Sequence, residues 1–379
     1  SVTIIHHLMT FGGHRAYTRH MRAMILKEFR ELRRDPRTLA MLVVLPLLLL
    51  VIFGYAANFY VSSSTTAVVG PQATQFAKSL PEYFDVTTVD TNGTEADATE
   101  LLRDNKVDTA FVTGHSTPGQ PTVEALLDGS NLFGAQATSG LLNKMGNSVK
   151  VRVLFNPELK TSWVMVPAII GLILTFIGTI VTSIGLVRER EAGTLEQLAV
   201  MPIKPSQVIL GKIAPYFLLA AIDMIIVTVL GMWLFGVPFN GNVGVFALGA
   251  ALFLFVVLGL GVLISTISQT TGQAIQTAFL FLMPQILLSG MIFPLDAMAA
   301  GVRWIGYLLP LTYFTMISQG VMIRGASIGS LWVPLLVLAV MAVVVFTAAT
   351  LRFRRDLAPN ARASASAREH ADTTSGAAS

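Results

Sequence analysis

The sequence predicts an α-helical protein that crosses a membrane several times and carries one small α/β domain outside it. Three observations favour this fold class. Of 379 residues, 53% are apolar and 13% charged, which is about half the charged fraction of a soluble domain. The apolar residues gather in long runs that almost no charge interrupts. Residues 61–160 differ, because they hold 11 acidic and 7 basic side chains, a composition typical of a domain in water.

Six apolar runs reach the length of about 20 residues that a helix needs to cross a bilayer. A Lys, Arg or Asp at mid-membrane costs roughly 2.5–3.5 kcal/mol on insertion, so uninterrupted runs favour membrane spans over buried helices of a soluble protein. We expect the six spans at 39–60, 163–187, 209–235, 243–267, 273–293 and 331–351.

The distribution of Lys and Arg predicts the orientation of these spans. Eight precede the first span, four lie in 188–212 and five follow the last span, whereas the loop 236–242 has none. Cytoplasmic flanks are rich in basic residues, so both termini and the loop after the second span are expected in the cytoplasm, and 61–162 outside. Because the basic residues flank apolar runs, they indicate membrane lipid, not nucleic acid, as the partner. The expected location is the cytoplasmic (inner) membrane of a prokaryote. The tail 352–379 is basic and then Ala/Ser-rich, which predicts disorder.

The N-terminal cytoplasmic segment 1–38 contains a predicted amphipathic helix. Its apolar face consists of Met21, Ile25, Phe29 and Leu32, and basic side chains occupy the rest. Such a helix lies flat on an anionic inner leaflet. An ordinary amphipathic helix docked on protein has the same pattern, and both interpretations can hold together.

The outer segment 61–162 has the alternating pattern of a small α/β domain inserted between the first two spans. We predict strands at Thr66–Val69, Val86–Val89, Thr109–Val112 and Thr122–Ala125, and helices at Glu95–Arg103 and Leu132–Val149.

Residues 295–328 are apolar enough for a seventh span, but a crossing there would place the basic C-terminal segment outside, against the charge distribution. Gly301, Gly306 and Pro310 break the stretch into two short helices. We therefore predict a re-entrant hairpin on the outer side before the last span. An amphipathic loop lying on the surface is the alternative.

The loop after the second span reads R-E-R-E-A-G-T-L-E-Q-L at 188–198. Thr194 and Gln197 form a capping-box pattern, which predicts a short helix that begins at Leu195 and ends before Pro202. A helix of about two turns is not stable alone, so this one needs a docking surface. The alternative is a capped helix that merely links two spans.

This loop resembles the hallmark of ABC-2 type transporter permeases, in which an Arg/Glu-rich segment with Gly-Thr-x-Glu follows the second span. Four other stretches are similar to the subfamily with a large outer domain after the first span: Lys27–Phe29, Arg33–Pro36, Asp128–Asn131 and Phe155–Pro167.

The resemblance implies the transmembrane subunit of an ATP-driven exporter with drug or antibiotic efflux-like function. It implies that 188–206 is a coupling helix on a separate nucleotide-binding ATPase subunit, which holds ATP and Mg²⁺, and that two permease copies pair as a homodimer or related heterodimer. The coupling residues it implies are Glu189, Glu191, Gly193, Thr194, Leu195, Glu196, Leu198 and Pro202.

The residues themselves agree that the chain is not an ATPase, because the sequence contains no G-x-x-x-x-G-K-[ST] phosphate loop. With no Cys, thiolate metal sites, iron–sulfur clusters and cysteine nucleophiles are excluded, and we expect no cofactor or metal in this chain. The expected cargo is a hydrophobic or amphipathic compound, drug-like or lipid-like, moved outward. A membrane-anchored receptor or envelope-assembly factor, or a secondary transporter using Asp223, are alternatives.

Polar and aromatic residues within the spans are candidates for a transport pathway. Asp223 is the one ionisable residue deep in a predicted span, and such a residue predicts a functional site. The other candidates are Phe176, Thr179, Gln276, Phe281 and Gln285. Polar residues in spans also serve as interhelical hydrogen bonds, worth about 0.6 kcal/mol each, which is the structural alternative.

Overall fold

The structure is a computed structural model that describes Leu47 and residues 61–114, 123–144, 149–193 and 205–376. Side chains are described up to residue 352, except those of 205–208. The N-terminal segment 1–38 and, apart from Leu47, the predicted first span 39–60 lie outside this description.

Residues 64–154 form a five-stranded sheet with three helices. The strands are β1 Ser64–Val69, β2 Phe84–Asp90, β3 Thr109–Thr113, β4 Val123–Asp128 and β5 Val149–Leu154, and the helices are α1 Ala73–Ser79, α2 Glu95–Arg103 and α3 Leu132–Lys144. The strand order is β2-β1-β3-β4-β5. Strand β1 is parallel to β2 and β3, and β4 is antiparallel to β3 and parallel to β5. Helix α1 crosses from β1 to β2 and α3 from β4 to β5, as parallel pairs require.

Both faces of the sheet are covered. On one face Phe111 packs with Phe84, with a ring-centre distance of 5.2 Å, and α1 and α3 contribute Ala73 and Leu142 to the same cluster. On the other face α2 packs through Leu102. All five residues of β3 are buried, which explains why this central strand shows no polar alternation.

The four predicted strands are confirmed, and helix α2 begins and ends at the predicted residues. Thr94 and Asp97 cap its start reciprocally. The prediction that the second helix reaches Val149 is wrong, because that helix ends at Lys144 and Val149 pairs with Val123 to open β5. The alternating V-K-V-R-V-L of β5 is a strand pattern.

The remaining described chain is helical. Its elements are α4 Thr161–Phe176, a π-turn Ile177–Val181, α5 Thr182–Glu191, α6 Pro205–Phe235, α7 Val243–Ile267, α8 Thr271–Leu288, a 3₁₀ turn Leu295–Ala297, α9 Ala300–Gly306, α10 Pro310–Gln319, a π-turn Gly320–Arg324 and α11 Ile328–Gly376.

Among the described residues, four helical stretches are long and apolar enough to cross a membrane, namely Thr161–Glu191, Ile209–Phe235, Val243–Ile267 and Ile328–Arg352. They contain the predicted second, third, fourth and sixth spans. The predicted fifth span at 273–293 is a shorter helix, because α8 ends at Leu288, and its three glutamines make it more polar than the other four. It is not one of the four.

Helix α7 lies at the centre of the helical packing. Its Gly261 touches the π-turn after α4, since a Cβ there would lie 2.8 Å from the carbonyl oxygen of Gly178 and from Cβ of Thr182. Small residues let two backbones approach this closely. Eight residues before Gly261 in the same helix, Phe253 stacks on Phe314 of α10, with ring centres 4.6 Å apart. By contrast α6 exposes its apolar side chains, with Leu219 64% and Trp233 78% exposed.

The stretch 295–328 contains the two short helices that its Gly and Pro residues predict, α9 and α10. Pro310 occupies the first turn of α10, the helical position that best tolerates proline. Helix α11 extends to Gly376, whereas the Ala/Ser-rich tail predicts disorder. Alanine is the strongest helix former, which allows the preceding helix to continue into this segment.

Candidate functional site

The basic and acidic residues 188–193 form the end of helix α5. The amide of Ala192 donates to the Arg188 carbonyl at 2.9 Å and that of Gly193 to the Arg190 carbonyl at 3.0 Å. Gly193 has φ +74°, a left-handed conformation that only glycine adopts without cost and that commonly ends helices. The predicted loop segment therefore begins with an ordered helix end.

Glu189 connects α5 to α6. Its Oε2 accepts a hydrogen bond within an ion pair from Nζ of Lys212, near the start of the third predicted span. The Lys212 side chain is 17% exposed and that of Glu189 is 41% exposed. An ion pair this accessible to water contributes at most about 1 kcal/mol to stability, so its value lies mainly in fixing which helices meet.

Arg190 connects α5 to the end of α7. Its Nη1 donates to the carbonyl oxygens of Ser265 and Ser268, both at 2.9 Å. The last four carbonyls of a helix have no amide partner within the helix and carry partial negative charge. A guanidinium, always positive, satisfies two of these acceptors at once.

Glu191 connects α5 to the start of α8. Its Oε1 accepts from the Thr271 amide at 3.1 Å and its Oε2 from the Thr271 hydroxyl at 3.1 Å. Thr271 is the first residue of α8, where unpaired amides and the helix dipole favour a negative charge.

Three consecutive residues therefore hold the ends of three different helices, and we call Glu189, Arg190 and Glu191 with their partners the helix-end cluster. These contacts link residues 189–191 to α6, α7 and α8. Sequence reasoning singled out Glu189 and Glu191 but missed Lys212, Ser265, Ser268 and Thr271. Their partners are 23 to 80 residues away along the chain, and no local pattern marks such pairs.

Several predicted site residues lie outside the described part of the chain. They are the interfacial-helix residues Met21, Ile25, Phe29 and Leu32 and the coupling residues Thr194, Leu195, Glu196, Leu198 and Pro202. Their roles stay predictions.

The predicted pathway residues have different surroundings in the structure. Phe176 is 46% exposed and meets Phe279 edge-on at 6.1 Å, whereas Phe281 packs inward against the buried cluster around Leu282. Thr179 is buried and donates to the Thr175 carbonyl of its own helix at 2.6 Å. A pathway role for these residues stays a prediction.

The polar candidates on the other helices also differ in their surroundings. Gln285 is fully buried and its Oε1 accepts from the Leu311 amide at 3.2 Å, at the start of α10, so it serves as a helix cap. Gln276 is exposed. Oδ2 of Asp223 is buried and has no hydrogen-bond partner among the described residues. The carboxylate of Asp223, in the predicted third span, thus accepts no hydrogen bond from a described residue through that oxygen.

The sheet is joined to the helices by a buried ion pair. Nη1 of Arg324 donates to Oγ of Ser130 at 2.9 Å and lies 4.0 Å from Oδ2 of Asp128. Asp128 is 1% and Arg324 8% exposed. Burial raises the pKa of Asp128, and the positive charge of Arg324 opposes this rise. Asp128 belongs to the D-G-S-N stretch singled out in the sequence, whereas Arg324 was assigned no partner there.

A second junction holds β5 to α4. Asn156 is fully buried, its Nδ2 donates to the carbonyls of Gly129 at 3.3 Å and Lys160 at 3.1 Å, and its Oδ1 accepts from the Lys160 amide at 2.9 Å. This junction brings the D-G-S-N stretch at 128–131 into contact with Asn156, because the Asn156 side chain donates to the Gly129 carbonyl.

Comparison with known proteins identifies the family of the chain. The family profile described as ABC-2 family transporter protein matches residues 36–351. The chain is similar to the probable multidrug ABC transporter permease YbhR of Escherichia coli K12, with 29% identity over 90% of this chain and 99% of that protein. It is also similar to the probable multidrug ABC transporter permease YbhS of the same organism, with 30% identity over 89% of this chain and 98% of that protein.

A more distant similarity extends beyond bacteria. ABC transporter G family member 20 of Dictyostelium discoideum is 26% identical over 50% of this chain, which corresponds to 26% of that protein. The family match covers most of the sequence and confirms the resemblance that the 188–198 segment carries. The chain belongs to the ABC-2 family of transporter proteins.

Proposed function

We propose that this chain is the permease subunit of an ATP-driven exporter and that it moves hydrophobic or amphipathic compounds outward across the cytoplasmic membrane. The observation that carries the proposal is the helix-end cluster, in which Glu189, Arg190 and Glu191 hold α6, α7 and α8. The loop expected to dock on an ATPase follows directly after it. The two E. coli permeases are named as probable multidrug transporters, which supports a drug-like cargo.

In this proposal ATP hydrolysis occurs in a separate subunit that binds ATP and Mg²⁺. That subunit moves the segment 194–202, and the movement reaches the end of α5 through the backbone. Glu191 and Arg190 then shift α8 and α7 as one body, because charged hydrogen bonds to helix ends resist separation. The cargo passes between two permease copies.

The membrane arrangement is part of the same proposal. Six spans cross the bilayer with both termini in the cytoplasm, the α/β segment lies outside, and α9 with α10 forms the re-entrant hairpin. The exposed apolar side chains of α6, such as Leu219 and Trp233, support contact with lipid or a second copy of the chain. Helix α8 serves as the fifth span despite its shorter apolar length.

The test uses the full chain copurified with its ATPase subunit and reconstituted in liposomes. We expect Glu196→Lys, and Leu195→Ala with Leu198→Ala, to abolish substrate-stimulated ATP hydrolysis while the chain still inserts. Glu191→Gln keeps subunit binding but lowers stimulation, because a neutral amide is a weaker partner for the positive end of α8. Glu158→Gln is the matched control, since Glu158 is 73% exposed and pairs only with its neighbour Lys160 in the part of the chain that the structure describes. Normal stimulation in the Glu196 and Leu195 variants would refute coupling through this loop.

A further inference from the structure

A cavity of about 200 Å³ lies where the sheet meets the helices. The loops at the edge of the sheet contribute Asp108 and Asn131 to its wall, and the segment after α8 contributes Ser289 and Asp296. Helices α4 and α10 supply Met165 and Met316. The cavity belongs to neither the helix-end cluster nor the predicted pathway residues.

Two carboxylates line this cavity without an ion pair to a described residue. Asp108 accepts from the hydroxyl of Thr65 at 2.5 Å and from Nδ2 of Asn131 at 3.0 Å, both neutral donors. The carboxylate of Asp296, at the mouth of the cavity, makes no hydrogen bond or ion pair with a described residue.

Two arginines lie near these carboxylates, and Arg324 itself lines the cavity. Nε of each arginine has no hydrogen-bond partner among the described residues. Nη2 of Arg303 donates to the main-chain carbonyls of Asp296 at 2.7 Å and Met298 at 3.2 Å. Arg324 is held by Ser130 and Asp128. Burial and the repulsion from Asp108 raise the pKa of Asp296, and Arg303 opposes the rise. The carboxylates of Asp108, Asp128 and Asp296 therefore outnumber the guanidinium groups of Arg303 and Arg324 around the cavity, and the negative charge is incompletely balanced.

Deeper in the cavity, two hydroxyls have no partner. Ser289 is 1% and Thr315 4% exposed, and Oγ of Ser289 and Oγ1 of Thr315 make no hydrogen bond within the described part of the chain. Buried polar atoms without partners are rare, because each costs free energy, and they indicate a site that something fills. The cavity is large enough for several waters or one small molecule.

Apolar side chains complete the wall, among them Phe133, Met165, Ile292 and Met316. Carboxylates at the mouth, hydroxyls inside and an apolar wall complement a molecule with one cationic end and one hydrocarbon part. The volume of about 200 Å³ is below the roughly 300–1,000 Å³ of sites for drug-sized ligands. It fits a small amine or the cationic end of a longer one.

We propose that this cavity is a binding site for organic ammonium compounds, with Asp108 and Asp296 holding the ammonium group and the apolar wall holding the hydrocarbon part. A role of this cavity in binding exported cargo rests on the proposed function. The binding of ammonium compounds to the cavity does not depend on it.

The test measures binding of benzylamine to the purified full chain in detergent by ligand-observed NMR titration, with the uncharged benzyl alcohol as the matched probe. We expect benzylamine to bind and Asp296→Asn to weaken it about tenfold, because one of two nearby charges is removed. Asp85→Asn is the control variant, since Asp85 is exposed on β2 and has no side-chain partner among the described residues. Binding also weakens as pH falls through the raised pKa of Asp296, because protonation removes its charge.

The outcomes separate the site from the proposed function. Equal binding of benzylamine and benzyl alcohol, or unchanged binding by Asp296→Asn, would overturn the site. Asp108→Asn is a second variant, and the result for Asp296→Asn does not depend on whether Asp108→Asn folds. If benzylamine binds as expected but does not alter ATP hydrolysis by the reconstituted complex, the site stands and its role in export fails.

Discussion

Arg190 binds main-chain carbonyls at the end of helix α7: its Nη1 donates to the carbonyl oxygens of Ser265 and Ser268, both at 2.9 Å. The last carbonyls of a helix have no amide partner within the helix, and without another donor in the protein they accept hydrogen bonds from water. Here the donor comes from the segment that bears the family's hallmark, so the packing of α7 depends on a residue of the α5 end.

Replacing this arginine tests that dependence. Arg190→Ala leaves both carbonyls without the guanidinium, and we expect a loss of about 1.5–3 kcal/mol in the free energy of unfolding, the usual worth of hydrogen bonds to a charged group. The measurement is thermal unfolding of the purified chain in detergent, followed by circular dichroism. Arg188→Ala is the control, because Arg188 is exposed and its side chain has no partner in the described segments. Equal unfolding midpoints for the two variants would show that the contact is unimportant for stability.

The buried pair of Asp128 and Arg324 gives a second prediction. Arg324→Leu leaves a buried carboxylate without its cation, and breaking a buried pair costs about 3–5 kcal/mol. Lys150→Leu is the control, since Lys150 is 64% exposed and lies 3.8 Å from Glu124, a surface pair worth about 0–1 kcal/mol. Unfolding in detergent compares both with the unchanged chain. A double change of Asp128→Asn with Arg324→Leu recovers part of the loss.

The same pair predicts a pH dependence. The pKa of Asp128 is already raised by burial, and Arg324 opposes the rise, so Arg324→Leu raises it further. A carboxyl whose pKa is higher in the folded than in the unfolded state does not lower the free energy of unfolding at a pH below its unfolded pKa. As the pH rises from there toward the folded pKa, the carboxyl lowers that free energy increasingly. We therefore expect the deficit of Arg324→Leu to be smaller at pH 5 than at pH 8. A deficit that does not change with pH would contradict the assignment of the cost to Asp128.

The backbone contact between α7 and the π-turn gives a third prediction. In Gly261→Ala the new Cβ would lie 2.8 Å from the Gly178 carbonyl oxygen, so the helices must separate, at a cost of about 1–3 kcal/mol. Gly211→Ala in α6 is the matched control, because nothing lies within 4 Å of its Cβ position, and alanine favours a helix by about 1 kcal/mol. The midpoint of thermal unfolding in detergent should fall for Gly261→Ala and rise for Gly211→Ala. A shift in the same direction for both variants would rule out close packing at Gly261.

Local patterns were enough to predict much of the fold. The Thr94 and Asp97 pair places the start of α2, the β-branched runs place the first four strands, and uninterrupted apolar runs place the long helices. These features depend on residues within a few positions of one another. Strand β5 was not predicted, although its residues alternate, and its first residue, Val149, was expected to end the preceding helix.

The partners at the candidate site could not be predicted in the same way. Glu191 and Thr271 are 80 positions apart, and Ser130 and Arg324 are 194 apart. Such pairs form because helices pack, and packing is not encoded in any short window. The contact between Gln285 and the Leu311 amide is of the same kind, since it joins residues 26 positions apart; the pathway role expected for Gln285 stays a prediction.

The bond from Arg190 to main-chain carbonyls has a consequence for how this family can vary. Any residue has a carbonyl oxygen, so the bond places no demand on which side chains occupy positions 265 and 268. The demand falls entirely on position 190, where one guanidinium nitrogen, which carries two hydrogens, donates to both acceptors. Substitutions can therefore accumulate at positions 265 and 268 while position 190 keeps its arginine. In a set of related sequences we expect position 190 to vary less than positions 265 and 268.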